Sequence, residues 1–175
     1  MAPAEVLVTA EEIARRVEAL ARRLAPLLDD DAVAICLLIG GLWFAADLTR
    51  ALARQGRNIG FEGLWLASYG DSATSAGRCE VRAGPQRSVL DRHVLVIDDV
   101  VDSGVSLAEA SRFLKEAGAA RVTSAVFARK PWPSRTHEPD HVAWEAPARF
   151  LFGYGMDLAG GLRGLPHVCA VVADD

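Results

Sequence analysis

His93-Val94-Leu95-Val96-Ile97-Asp98-Asp99-Val100-Val101-Asp102-Ser103-Gly104-Val105-Ser106-Leu107 is the stretch whose reading decides the fold. Val94 to Ile97 is a short apolar run rich in β-branched side chains, the pattern of a buried strand. Two adjacent carboxylates, Asp98 and Asp99, close it. A small polar turn, Asp102-Ser103-Gly104-Val105-Ser106, follows. Leu107, Ala110, Leu114 and Ala117 then fall at helical spacing until Gly118. The order is strand, acidic edge, tight turn, helix N-terminus. Unpaired N–H groups and the positive end of the dipole make a helix N-terminus attractive to phosphate. Gly104 permits close backbone approach, Ser103 and Ser106 add hydroxyl donors, and carboxylates accept hydrogen bonds from vicinal diols. Two readings stand at this point. The turn holds a sugar phosphate, or it is a plain strand–helix turn whose helix is capped by Asp102 or Ser103.

Val94 to Leu107 resembles the phosphoribosyl pyrophosphate (PRPP) motif of type I phosphoribosyltransferases. The shared pattern is a hydrophobic strand, two acids, two aliphatics and then Asp-Ser/Thr-Gly-x-Ser/Thr. The segment Trp144 to Asp157 resembles the hood of the 6-oxopurine branch, the hypoxanthine-guanine phosphoribosyltransferases, and Leu165-Pro166-His167-Val168 continues the match. With Val6-Leu7-Val8 at the start, the resemblance covers nearly the whole chain. It implies an α/β fold with a parallel core sheet flanked by helices and a small C-terminal hood.

The 175 residues fit one domain, with a core at about 30–135 and a hood at about 136–175 joined by the N-terminal residues. A composition 51% hydrophobic and 24% charged implies a folded globule rather than disorder. The formal net charge of −4 gives no general basic footprint, so no nucleic-acid partner is expected. No apolar run reaches the roughly 18 residues that span a bilayer, and Met1 to Val8 lacks a secretory pattern. Cys36, Cys79 and Cys169 are odd in number and widely spaced, which suits reduced thiols in a cytoplasmic protein.

Thr9 and Glu12 have capping-box spacing, and Ile13, Val17, Leu20, Leu24 and Leu27 predict a helix over 10–28. Arg15, Arg16, Arg22 and Arg23 are expected on a solvated face. Ala32 to Leu38 predicts a buried strand, Gly40-Gly41 a turn, and Leu42 to Ala53 a helix, a second strand–turn–helix unit able to cradle an anion. Glu62 to Ser68 predicts a third strand. The polar stretch from there to about Asp91 is long enough, at ~20 residues, for a lid, although Cys79 to Arg82 also suits a hairpin strand. Arg121 to Ala128 predicts the next strand, and the βαβ alternation argues for a parallel sheet with its site at the strands' carboxyl ends. Gly40, Ser68, Asp98 and Lys130 all fall there. His137-Glu138-Pro139-Asp140-His141 matches H-E-x-x-H, but Pro139 inside the would-be helix argues for a loop without zinc. Val142 to Glu145, Phe150 to Tyr154 and Val168 to Val172 predict short strands of the hood.

The resemblance implies an activity: a nucleobase nitrogen displaces pyrophosphate from C1 of PRPP, with Mg²⁺ required. Residue by residue, it implies that Asp98 and Asp99 hold the ribose hydroxyls directly or through Mg²⁺. Ser103, Gly104, Val105 and Ser106 take the 5′-phosphate. Asp102 is the general base near purine N7, a task that suits a carboxylate of raised pKa. Lys130 donates to the 6-oxo group and rejects adenine. Phe150 stacks on the base, and Leu151 presents its carbonyl to the base edge. Asp157 orients a second Mg²⁺ at the base site. Gly40, Gly41 and Arg163 meet pyrophosphate. Ser68 and Tyr69 match the Ser-Tyr pair of a mobile loop that closes over the site. Two departures stand out: Asp98 is a Glu in most of the family, and Ile39 occupies the place of a lysine in the pyrophosphate turn. The resemblance also implies a homodimer or homotetramer. Alongside a hypoxanthine-guanine enzyme making IMP or GMP, two other readings stand: a PRPP-binding regulator on the same fold, and a transferase for another base such as xanthine.

Overall fold

The parallel strands are apolar on both faces because both faces are covered. A computed structural model describes residues 4–68 and 79–172. The first elements are strand β1 (Ala4–Val8), helix α1 (Ala10–Leu24) with a closing 3₁₀ turn (Ala25–Leu27), strand β2 (Val33–Leu38) and helix α2 (Leu42–Arg54). Then come β3 (Gly60–Ser68), β4 (Cys79–Ala83), β5 (His93–Val101), α3 (Val105–Glu116) and β6 (Arg121–Arg129). Short strands β7 (His141–Glu145), β8 (Leu151–Phe152) and β9 (Val168–Val171) complete the described chain. Thr9 caps α1 by accepting the Glu12 N–H at 3.3 Å, and Pro26, which has no N–H to donate, tightens the end of the predicted 10–28 helix into the 3₁₀ turn.

Two sheets form. The larger has the order β4-β3-β2-β5-β6-β7, parallel except for the β3–β4 hairpin. The smaller is antiparallel, β1-β9-β8. On one face of the large sheet, Ala34, Cys36, Leu95, Ile97 and Phe127 pack against Leu20 and Leu24 of α1 and Phe44, Leu48 and Leu52 of α2. The same cluster takes in Val8, Leu151, Val168 and Ala170 of the small sheet. On the other face, Ile35, Val94, Val96 and Val126 pack against Leu107, Ala110 and Leu114 of α3. Burial at about 25 cal/mol per Å² of apolar surface makes these two layers the main stabilising term.

β2 and β5 are neighbours, yet α2 leads from β2 toward β3 and α3 leads from β5 toward β6. The chain therefore diverges between them, and such a switch point leaves a crevice at the carboxyl ends of the strands.

Three details differ from the sequence expectation. Asp98 and Asp99 do not end their strand: β5 continues to Val101, because its pairing with β6 extends to Val101↔Arg129. β7 was expected in the hood but is the sixth strand of the large sheet, parallel to β6. Arg16 is only partly exposed and reaches the Ala143 carbonyl of β7 at 3.4 Å; Arg23 is exposed as expected, and also donates to the Val142 carbonyl at 2.9 Å. Among the described residues, no helix is long and apolar enough to cross a membrane.

Candidate active site

β5 pairs with β2 only as far as Cys36↔Ile97. Beyond Ile97 the turn 39–41 fills the space on that side. A Cβ on Gly41 would lie 2.8 Å from the Leu37 carbonyl and 2.9 Å from that of Ile97. A Cβ on Gly40 would lie 2.1 Å from Asp99 Oδ2. Only glycine lets this turn sit on the acid pair. The Gly41 N–H donates to the Leu37 carbonyl at 3.1 Å. Ile39 is half exposed.

The two acids lie side by side, Asp99 buried and Asp98 partly buried. Asp98 Oδ1 accepts the Asp99 N–H at 3.0 Å, and Asp99 Oδ1 accepts the Val100 N–H at 2.8 Å. Burial, reinforced by the neighbouring Asp99, holds the Asp98 carboxyl well above the usual range. Burial also raises Asp99, opposed by its hydrogen bonds from Asp98 and Val100 and by the Arg163 guanidinium. Arg163 is fixed by donating to the Gly155 carbonyl at 2.6 Å and to Asp157 Oδ1 at 2.7 Å, while Asp157 Oδ2 accepts the Gly160 N–H at 2.8 Å. Cys36 is fully buried, and burial with the two acids nearby pushes its thiol up to about 12, so it is an inert core residue.

After Val101 the chain turns into α3 around a cavity of about 180 Å³ lined by Asp98 and by 100–107. Gly104 stands at the N-cap with φ of 80° and no side chain caps the helix, so Asp102 and Ser103 do not play the capping role. A Cβ at Gly104 would be strained by that φ and would lie 2.4 Å from the His137 carbonyl. Ser103 contributes its carbonyl to the Thr136 N–H at 2.8 Å. Ser106 is exposed, and Val105 opens the helix.

Lys130 follows β6 and donates to Asp102 Oδ2 at 3.2 Å. Its side chain is 16% exposed, that of Asp102 42%. Asp102 Oδ1 is itself buried and has no hydrogen-bond partner among the described residues. A buried acceptor left unpaired is costly, and its position beside a lysine at the mouth of a phosphate-type turn suits a donor on a ligand. Phe150 is 54% exposed and takes no part in the core, whereas Leu151 is buried in β8. His137 to His141 form no helix, and Asp140 instead accepts from the Ser124 N–H and hydroxyl at 2.7 and 2.8 Å. Tyr69 lies outside the described residues, and Ser68 enters only as the last residue of β3.

Among the described residues no three His, Cys, Asp or Glu groups gather into a metal cluster, so Asp98, Asp99 and Asp157 do not form one site. The donor set nevertheless fits Mg²⁺, which binds through one or two carboxylates and completes its octahedron with water and substrate oxygens. Two adjacent carboxylates, one buried and one partly buried, beside a cavity offer that partial set.

The sequence reading missed Arg135, whose guanidinium lies beneath the 102–104 turn, and Gly155. A Cβ on Gly155 would lie 2.1 Å from the Gly40 carbonyl. Its position in a Gly-rich turn was the only available signal.

A divergent parallel sheet, an anion-type turn at a helix N-terminus and an acid–lysine pair at the same edge define an enzyme that handles a phosphorylated sugar. The family model described as a phosphoribosyl transferase domain matches residues 7–158, and the chain belongs to that family. It is 30% identical over 167 residues to a hypoxanthine-guanine phosphoribosyltransferase of Dictyostelium discoideum, covering 94% of this chain and 93% of the relative. The enzyme of that name from Bacillus subtilis (strain 168) is also 30% identical, with 94% and 91% covered. Among solved structures, Trypanosoma cruzi hypoxanthine phosphoribosyltransferase in complex with the product IMP matches with a TM-score of 0.88 and 28% identity, covering 98% of this chain and 95% of that one.

Proposed function

We propose that this protein is a purine salvage enzyme that transfers the 5-phosphoribosyl group from PRPP to hypoxanthine, guanine or both, releasing pyrophosphate and forming IMP or GMP. The observation that carries this reading is the unpartnered Asp102 Oδ1 beside Lys130 at the open edge of the 102–106 turn. Ser103 to Ser106 hold the 5′-phosphate on amides and hydroxyls. Asp98 and Asp99 receive the ribose hydroxyls. The purine ring lies on Phe150, meets the Leu151 carbonyl at its edge, and takes a hydrogen bond from Lys130 on its 6-oxo group. Asp102 accepts the proton that leaves N7 as the base nitrogen bonds to C1 and the C1–pyrophosphate bond breaks. Asp98 and Asp99 would hold one Mg²⁺, and Asp157 a second, and the ions would supply positive charge against the pyrophosphate oxygens. Arg163, with Gly40 and Gly41, receives pyrophosphate.

Lys130 is held by Asp102. A 6-oxopurine replaces that pairing with two new ones, its oxygen on the ammonium and its N7–H on the carboxylate. Adenine offers an amino donor to the ammonium and leaves Lys130 unpaired. The whole chain works as one unit, the hood being β1, β8, β9 and their connections. Exposed Leu42, Phe61 and Trp65, the last beside Leu38 in the sheet, support self-association as a homodimer or homotetramer. Free Cys36 and Cys169 suit the cytoplasm.

The test is a spectrophotometric assay with PRPP and Mg²⁺ and, separately, hypoxanthine, guanine, xanthine and adenine. Turnover of hypoxanthine or guanine with adenine inert is expected. Turnover of xanthine alone would change the base. PRPP binding without turnover of any base would favour a regulator, the reading supported by Ile39 and by the committed Gly41 amide.

A further inference from the structure

Arg135 looks like a surface-loop residue in sequence, between Pro133-Ser134 and Thr136-His137, yet its side chain is only 4% exposed. Burying a guanidinium is costly unless its donors are satisfied. Here the fork is used three ways. Nε donates to the Asp102 carbonyl at 2.8 Å, one terminal nitrogen donates to the Lys130 carbonyl, and the other pairs with Glu138 Oε1 at 2.8 Å. The two carbonyls belong to the residues whose side chains form the acid–lysine pair. Asp102 follows β5 and Lys130 follows β6, so one planar group spans the ends of two strands.

The loop carrying Arg135 is itself fastened. The Thr136 N–H donates to the Ser103 carbonyl at 2.8 Å, the His137 backbone presses on Gly104, and Asp140 ties the far end to Ser124. Arg129 also pairs with Glu138 at 3.3 Å, which holds that carboxylate against Arg135.

We propose that Arg135 is a positioning residue for the transferase reaction: by bridging the Asp102 and Lys130 carbonyls it fixes the separation of the proton acceptor and the 6-oxo donor, so that one purine engages both. Arg135 touches no substrate. Lysine cannot replace it, because an ammonium is a point donor that does not span two carbonyls in a fixed fork. The inference rests on the proposed transferase function. Small misplacement of reacting groups costs as much as about a hundredfold in rate.

The test uses the full chain with Arg135→Ala and Arg135→Lys, measuring kcat and KM for hypoxanthine, discrimination against adenine, Kd for PRPP by calorimetry, and Tm. In both variants kcat is expected to fall at least about tenfold and KM for hypoxanthine to rise several-fold, while Kd for PRPP stays within about threefold. A role confined to folding would lower Tm and leave KM and base discrimination at parent values, which would overturn the proposal. If Arg135→Ala does not fold, Arg135→Lys decides: reduced kcat with raised KM at a near-parent Tm supports the role, and parent kinetics overturn it. An active parent with parent-like variants would remove only the role of Arg135. A parent inert toward every base would remove the transferase reading and this inference with it.

Discussion

Two strand-to-helix turns meet at the divergence of the sheet, 39–41 after β2 and 102–104 after β5. Both combine glycine with a helix N-terminus, and from sequence both suit an anion. They differ in where their polar groups go. At 39–41 the Gly41 amide is bonded to Leu37, and Gly40 is pressed between the Asp99 carboxylate and the hood turn at Gly155. Neither helix has a side-chain cap, but at 102–104 a cavity lies over the turn and Asp102 keeps a buried oxygen without a partner among the described residues. A glycine in such a turn therefore marks close approach, and only the surroundings tell whether the neighbour is a ligand or the protein itself.

The largest effect is expected at the open turn. Gly104→Ala places a Cβ at positive φ, 2.4 Å from the His137 carbonyl, so neither backbone nor neighbour yields easily. A cost of roughly 2–4 kcal/mol should lower Tm by about 5–15 °C and weaken PRPP binding. Scanning fluorimetry and calorimetry check both, and parent behaviour would mean that the turn has more room than its contacts indicate.

Gly40→Ala should be milder, because its Cβ meets the Asp99 side chain rather than backbone. We expect a Tm loss about half that of Gly104→Ala, with kcat down about tenfold as the carboxylate is displaced. Adding Asp99→Ala should restore part of the lost Tm but none of the activity. Strict additivity of the two changes would show that the residues do not press on one another.

Ile39→Lys sharpens the contrast by giving the closed turn a cation. Ile39 is half exposed, so Tm should hold within about 2 °C, while KM for pyrophosphate in the reverse reaction falls by about threefold or more. An unchanged KM would exclude this turn from the pyrophosphate site.

The smallest effect on activity is expected at the opposite edge. Burial, then Arg121, lowers the pKa of His93, against the raising influence of Asp29, and its Nε2 lies 2.9 Å from the Thr123 hydroxyl. The folded state binds this proton less tightly than the unfolded chain. The stability it contributes is complete above the unfolded value of about 6.5 and is lost as pH falls toward the lower folded value. His93→Gln should reduce the drop in Tm between pH 8 and pH 5 and leave kcat at pH 8 unaltered. An unchanged drop would assign it to other groups such as His141, whose pKa is also lowered by burial.

The legible parts of the chain were those in which local pattern and tertiary role agree. β2, β5 and β6 read as continuous apolar runs because helices cover both faces. The 98–107 stretch combined a strand end, acids and small polar residues whose spacing survives folding intact. The length of β5 was not legible, since nothing in Asp98-Asp99 says that β6 continues to pair alongside. β7 was assigned to the wrong sheet because a five-residue strand carries no label of its partner. Arg16 reads as wholly solvated because helical period alone does not place the edge of β7 beside it. Arg135 gave no signal at all, since a charged residue among prolines and serines has the composition of a surface loop. Its burial is set by two carbonyls from strands far away in sequence.

The measurement that bears most directly on the account is Asp102→Asn, which keeps the shape beside Lys130 and removes the proton acceptor. The account predicts that kcat with hypoxanthine falls by about 10²–10⁴-fold while Kd for PRPP changes by less than about threefold. Equal losses in turnover and PRPP binding would contradict it, and would make Asp102 a support of the turn rather than the base of the reaction.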